Sequence, residues 1–141
     1  MTPELAKVPQ IPPPCDLTLA NVCIGKPEPG VTVWRMSADE RFANAVGVMQ
    51  GGFIAALCDS AMGASSISWA AANNRERKVV SYTTDMRVSF IKAVELPCEL
   101  ECTARIIAGG RRVLFGEAEV NDESGCLVAK ASATFMIADR H

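Results

Sequence analysis

The sequence predicts an α+β domain in which an antiparallel β-sheet wraps around one long central helix. Three observations carry this. After Gly51-Gly52 the run from Phe53 to Ala72 is apolar nearly all round, the composition of a helix buried on most of its sides. Downstream of it lie four successive strand-like stretches, the first three alternating apolar and polar residues with a period of two, the pattern of strands with one covered face. A sheet of that kind must bury its apolar face, and the chain offers only one long helix to bury it against.

Taken in order, residues 1–29 are rich in proline (3, 9, 12, 13, 14, 27 and 29) and are expected to form an arm with little regular structure. Leu17 to Ile24 is the part of it that could pack. The folded domain is expected to run from residue 30 to 141. Gly30 opens a strand from Val31 to Met36. Ser37 to Arg41 carries turn residues, and Phe42 to Gln50 reads as a loop into the helix. Asn73 to Lys78 is a polar exit. Then Thr84, Met86, Val88 and Phe90 alternate with Asp85, Arg87 and Ser89, and Leu100 to Ile106 repeats the pattern. Gly109-Gly110 is a two-residue hairpin signal. Val113 to Val120, the turn 121–125 and Leu127 to Ile137 complete four strands joined by hairpins. Strand, buried helix and four strands together describe a hotdog architecture.

Composition removes several function classes. The 141 residues form one domain, large enough for a real core, with a net charge of only −2, which argues against a nucleic-acid binder. The first fourteen residues do not read as a secretory signal, so none is expected. The weakly polar stretch from Phe42 to Asn74 contains Asp59, a heavy penalty inside a bilayer, so no membrane span is expected. The six cysteines include no CxxC pair, and a cytoplasmic setting would keep them reduced; a zinc site is not expected. The single histidine is the last residue, His141. Catalysis through an oriented imidazole is therefore disfavoured, and histidine-dependent hydratases with it.

Between Arg41 and Arg75 the only charged side chain is Asp59, about two turns into the apolar helix. An unpaired buried carboxylate is costly, so one placed there points to function. The plainer alternative is a structural aspartate that accepts hydrogen bonds from nearby serines such as Ser60 or from a neighbouring strand. Gly51 and Gly52 stand at the helix start, where free N–H groups and the helix dipole are able to hold a developing oxyanion.

The run from Asn44 through Gln50-Gly51-Gly52 to Asp59 and Gly63 resembles the active-site segment of hotdog-fold acyl-CoA thioesterases, nearest the phenylacetate-pathway branch. The resemblance spans residues 30 to 138. It implies that Asp59 attacks or activates water, that the Gly51 amide polarises the thioester carbonyl, and that Asn44 positions water or substrate. It also implies that Thr83, on the strand after the helix, assists. The sequence departs from the pattern at Gln50, where histidine is usual; glutamine still hydrogen-bonds but does not titrate. No metal or redox cofactor is implied, and coenzyme A enters as part of the substrate.

Eight residues of helix rise about 12 Å, too far for Gly51 and Asp59 of one chain to share a carbonyl. The site is therefore expected to combine two subunits, and the resemblance implies a dimer, often paired into a tetramer. Arg111 and Arg112 are the candidates for the coenzyme A phosphates, with Arg87, Lys92 and Lys130 behind them; the alternative is that they are merely solvated. Phe53, Leu57, Met62 and Trp69 are candidate pocket residues and equally ordinary core. The rival to a hydrolase is a noncatalytic acyl-CoA-binding protein, which the Gln50 departure keeps open.

Overall fold

The computed structural model describes residues 12–73 and 78–140. His141, the first eleven residues of the expected arm and most of the polar exit at 74–77 lie outside them. A short helix α1 (Pro14–Leu19) leads into β1 (Asn21–Glu28) and β2 (Val31–Ala38). The long helix α2 (Gly51–Asn73) follows, then β3 (Val79–Phe90), β4 (Cys98–Gly109), β5 (Val113–Asn121) and β6 (Leu127–Asp139). All pairings are antiparallel, in the order β1-β2-β4-β5-β6-β3, and α2 packs against β2 through β6. This is the hotdog arrangement. No helix among the described residues is long and apolar enough to cross a membrane.

The helix is held by both apolar and polar contacts. Ile54, Leu57, Cys58, Ala61 and Met62 are buried against Met36, Leu100, Leu114, Val120 and Phe135 of the sheet. At its centre the buried Thr32 hydroxyl donates to the Ala61 carbonyl (2.9 Å) and lies 2.8 Å from Ser65 Oγ, while Trp34 Nε1 donates to Thr32 (3.1 Å). Ser65 also reaches the Ala104 carbonyl at 3.1 Å. Every polar atom of this cluster is satisfied, which fixes the rotation of α2 on the sheet.

Four differences from the sequence expectations have physical causes. The arm is regular from Pro14 onward: the Pro13-Pro14 start and Asp16 in the first turn suit a helix N-terminus, and β1 pairs along β2 as an edge strand that tolerates Pro27. The connection from β3 to β4 is not a hairpin. Residues 91–97 cross the sheet end, and β3 pairs with β6, so that the sheet closes on α2 from both sides. The β4–β5 connection is three residues long, because Gly109 still pairs with Leu114, whose side chain occupies the space of a Cβ there. Finally, α2 is not covered all round. Gly52 and Ile67 are exposed and Ala56, Asp59 and Gly63 partly so, a strip along one face of the helix.

Candidate active site

Asp59 stands on that strip, half-buried. Thr83 Oγ1 donates to Asp59 Oδ1 at 2.7 Å. The contact depends on a β-bulge. On β6 the buried residues Ala129, Ala131, Ala133, Phe135 and Ile137 alternate without a break. Opposite them on β3 stand Phe90, Val88, Met86, then Thr83 and Ser81, the register shifting between Asp85 and Thr83. The extra residue, Thr84, changes which parity faces the helix, so Thr83 and Met86 both turn inward. Next along the seam Ser66 Oγ donates to Ser81 Oγ (2.7 Å). Strict alternation, as read from the sequence, holds only on the C-terminal side of this bulge.

Ser60 does not serve Asp59. Its hydroxyl donates to Oδ1 of Asp16 (2.6 Å), which also accepts from Asn21 Nδ2 (3.3 Å). Asp16 is 3% exposed, so the most deeply buried aspartate lies in the arm and ties α1 to α2 next to Asp59. The sequence reading missed it, although the Pro-Pro-Cys-Asp start of a short helix was a usable signal.

Gly51 is the first residue of α2, and among the described residues the N–H groups of Gly51 and Gly52 have no acceptor, as the first turn of a helix dictates. A Cβ on Gly51 would lie 3.0 Å from the Phe90 ring, whereas at Gly52 it would meet nothing within 4 Å. Gln50 is exposed, its backbone N–H held by the Phe42 carbonyl at 2.8 Å. Asn44 organises its own loop: Oδ1 accepts from the N–H groups of Val46 (3.0 Å) and Val48 (3.2 Å). Its side-chain NH₂ has no partner among the described residues and stays available as a donor.

Within one chain, then, Asp59 and Thr83 meet, and Gln50, Gly51 and Gly52 cluster at the helix start beside the Asn44 loop. The two groups are eight residues of helix apart. Arg111 and Arg112 are exposed in the β4–β5 turn. Arg111 borders a cavity of about 310 Å³ with Trp69, Ala70, Asn73 and Ile137, at the end of α2 remote from Gly51. Of the other cations, Lys92 pairs with Asp122 (2.9 Å) and Lys130 with Glu119 (3.6 Å). Leu57 and Met62 are wholly buried core. Cysteine chemistry is disfavoured in the core: hydrogen bonding with Cys58 and burial push the Cys102 thiol far above its usual range.

Residues 46–129 match the model of the thioesterase superfamily. The chain belongs to that superfamily. It is 27% identical to mouse acyl-coenzyme A thioesterase 13 over 132 residues, 93% of this chain and 90% of that one. Among solved structures, a conserved protein from Pseudomonas aeruginosa superposes with a TM-score of 0.78 at 30% identity, covering 89% of this chain and 94% of that one. A hypothetical thioesterase from Streptococcus pneumoniae, solved with coenzyme A, has a TM-score of 0.74 at 21% identity, covering 86% and 88%. By its family this chain is a thioester hydrolase. The match begins just past Asn44 and includes Gly51, Asp59 and Thr83.

Proposed function

We propose that this thioesterase hydrolyses small aryl- or medium-chain acyl-CoA to the free acid and coenzyme A, at sites shared by two copies of the chain. The observation that carries the reading is the Asp59–Thr83 hydrogen bond on the exposed strip of α2. A catalytic carboxylate must be oriented yet reachable, and this one is held by a hydroxyl while remaining half-exposed. The partner copy supplies what the single chain holds too far away. A second chain docked along the strip and the free β3 edge presents the partner's Gly51 to the thioester carbonyl. The neighbouring N–H groups and helix dipole hold the oxyanion.

In the water route, Asp59 takes a proton as hydroxide forms the bond to the carbonyl carbon. The tetrahedral intermediate collapses, the C–S bond breaks, and the leaving thiolate receives that proton. In the covalent route Asp59 attacks the carbonyl, expels the thiolate, and water cleaves the anhydride. Gln50 and the free NH₂ of Asn44 orient water or thioester. Arg111 and Arg112 receive the phosphates of the coenzyme, a ligand consistent with the coenzyme-bound relative.

Release of free thiol from a panel of aryl- and medium-chain acyl-CoAs tests the proposal. The wild type is expected to turn over and Asp59→Asn to lose most of the rate. Tight acyl-CoA binding with no thiol release would instead make the protein a ligand binder. After single turnover in heavy-oxygen water, label in the Asp59 carboxylate identifies the covalent route with water attacking the Asp59 carbon of the anhydride; without it, the product acid carries the label in either route.

A further inference from the structure

A surface helix normally docks through an apolar face. α1 does not. Its one buried residue is a carboxylate: Asp16 is 3% exposed, Leu19 is half-buried, and Pro14, Cys15, Leu17 and Thr18 are exposed. Asp16 Oδ1 accepts from Ser60 Oγ of α2 (2.6 Å) and from Asn21 Nδ2 of β1 (3.3 Å). The buried Asn21 Oδ1 has no donor among the described residues. An apolar side chain would seat α1 with no carboxylate to desolvate, so stability alone does not call for this anchor. What hydrogen bonds add is direction. They fix where α1 stands.

The helix period tells which side of α2 that is. At about 100° per residue, Ser66 falls about 20° to one side of Asp59 and Ser60 about 100° to the other. Gly52, Gly63, Ala56 and Ile67 lie between, at about 20°, 40°, 60° and 80° on the Ser60 side. Asp59 and Ser66 bond Thr83 and Ser81 of β3, whereas Ser60 bonds Asp16. The open strip of α2 is therefore the floor of a groove, mostly of small residues, with β3 along one side and α1 along the other.

We propose that Asp16 is a positioning residue that, through Ser60, holds α1 as the second wall of the substrate groove over Asp59. This rests on the reading that the strip carries the acyl-CoA. The partner copy enters over the β3 edge, so α1 is the wall that the chain supplies on the other side. A wall touches the ligand in the ground state and the transition state alike. Losing its position weakens binding and spares the chemical step.

The test compares wild type, Asp16→Ala, Asp16→Asn and Ser60→Ala, each well below its Tm. Thiol release is measured on phenylacetyl-CoA and octanoyl-CoA, and calorimetry uses their non-hydrolysable thioether analogues. Asp16→Ala and Ser60→Ala should raise KM and Kd by about fivefold or more, the size of one net hydrogen bond, with kcat within about twofold. Asp16→Asn keeps an oxygen for Ser60 and should recover most of the affinity. Should Asp16→Ala fail to fold, Ser60→Ala carries the comparison, since it leaves the carboxylate in place. Hydrogen exchange supplies a readout that a purely structural role does not move. The analogues should slow exchange over residues 14–20 in the wild type and not in Ser60→Ala. Unchanged KM and Kd in destabilised variants would overturn the proposal, as would a fall in kcat at constant KM. So would wild-type exchange over 14–20 that ignores bound analogue. Calorimetry and exchange need no turnover: a wild type that binds the analogues and releases no thiol sinks the hydrolase reading, and the wall is still judged by these two measurements.

Discussion

At the scale of single residues, Asp59 and Thr83 are expected to differ in what their removal does. Asp59→Asn keeps the shape and removes the base or nucleophile. It should lower kcat by roughly 10²–10⁴-fold with little change in KM, measured by thiol release. Thr83→Ala removes only one hydrogen bond to the carboxylate and should cost less, with Thr83→Ser restoring most of the loss. If alanine and serine behave alike, the hydroxyl is not what orients Asp59. Asp16 is a stability residue by the same reasoning. Asp16→Ala strands the Ser60 hydroxyl and the Asn21 amide, each buried or nearly so. We expect a loss of about 1–3 kcal/mol in chemical denaturation.

At the scale of elements, the β5–β6 turn carries a pH dependence of definite sign. Asp122 accepts from Ser124 Oγ (2.7 Å), Lys92 Nζ (2.9 Å) and the Cys126 N–H (3.0 Å), and these bonds hold its carboxyl well below the usual carboxylate range. A group depressed on folding stabilises the native state above its unfolded pKa and loses that contribution as pH falls through the folded one. The Tm difference between wild type and Asp122→Asn should therefore be present at neutral pH. It should shrink as pH drops below about 4. A difference that persists unchanged into strong acid would mean that the carboxylate charge contributes nothing. The Asn44 loop bears on experiments as well. Alanine there would remove the acceptor for Val46 and Val48 and unravel the loop, so Asn44→Asp, which keeps an oxygen and removes the NH₂, is the cleaner variant.

At the scale of the whole molecule, one chain leaves uncovered the strip Gly52, Ala56, Asp59, Gly63 and Ile67, together with the β3 edge bearing Tyr82 and Phe90. An open sheet edge beside a part-apolar helix face favours pairing with another copy. The shared-site model makes a mixing prediction. Asp59→Ala and Asn44→Asp subunits, each inactive alone, should regain up to a quarter of wild-type activity per site in a randomised mixture. Mass spectrometry must first show that subunits exchange. Exchange without recovered activity would place both residues in one chain's site.

Much of this was legible in linear order, because period-two alternation and an apolar run are local properties. They placed α2, the strand ranges of β2 and β6, and the inner faces of β4 and β5 where the structure has them. Asp59 stood out as the lone charge in an apolar run, and the burial cost expected from that run is relieved because it stands half-exposed on the face the sheet leaves open. Other features arise between elements far apart in sequence. These are β3 on the β6 edge, the Thr84 bulge that turns Thr83 toward Asp59, Asp16 beneath Ser60, and Phe90 across Gly51. None has a signature within a short window, since each depends on which strand lies next to which. The helix rise already separated Gly51 from Asp59 before any fold was known. The exposed face on which Asp59 stands came from how far one sheet wraps around one helix.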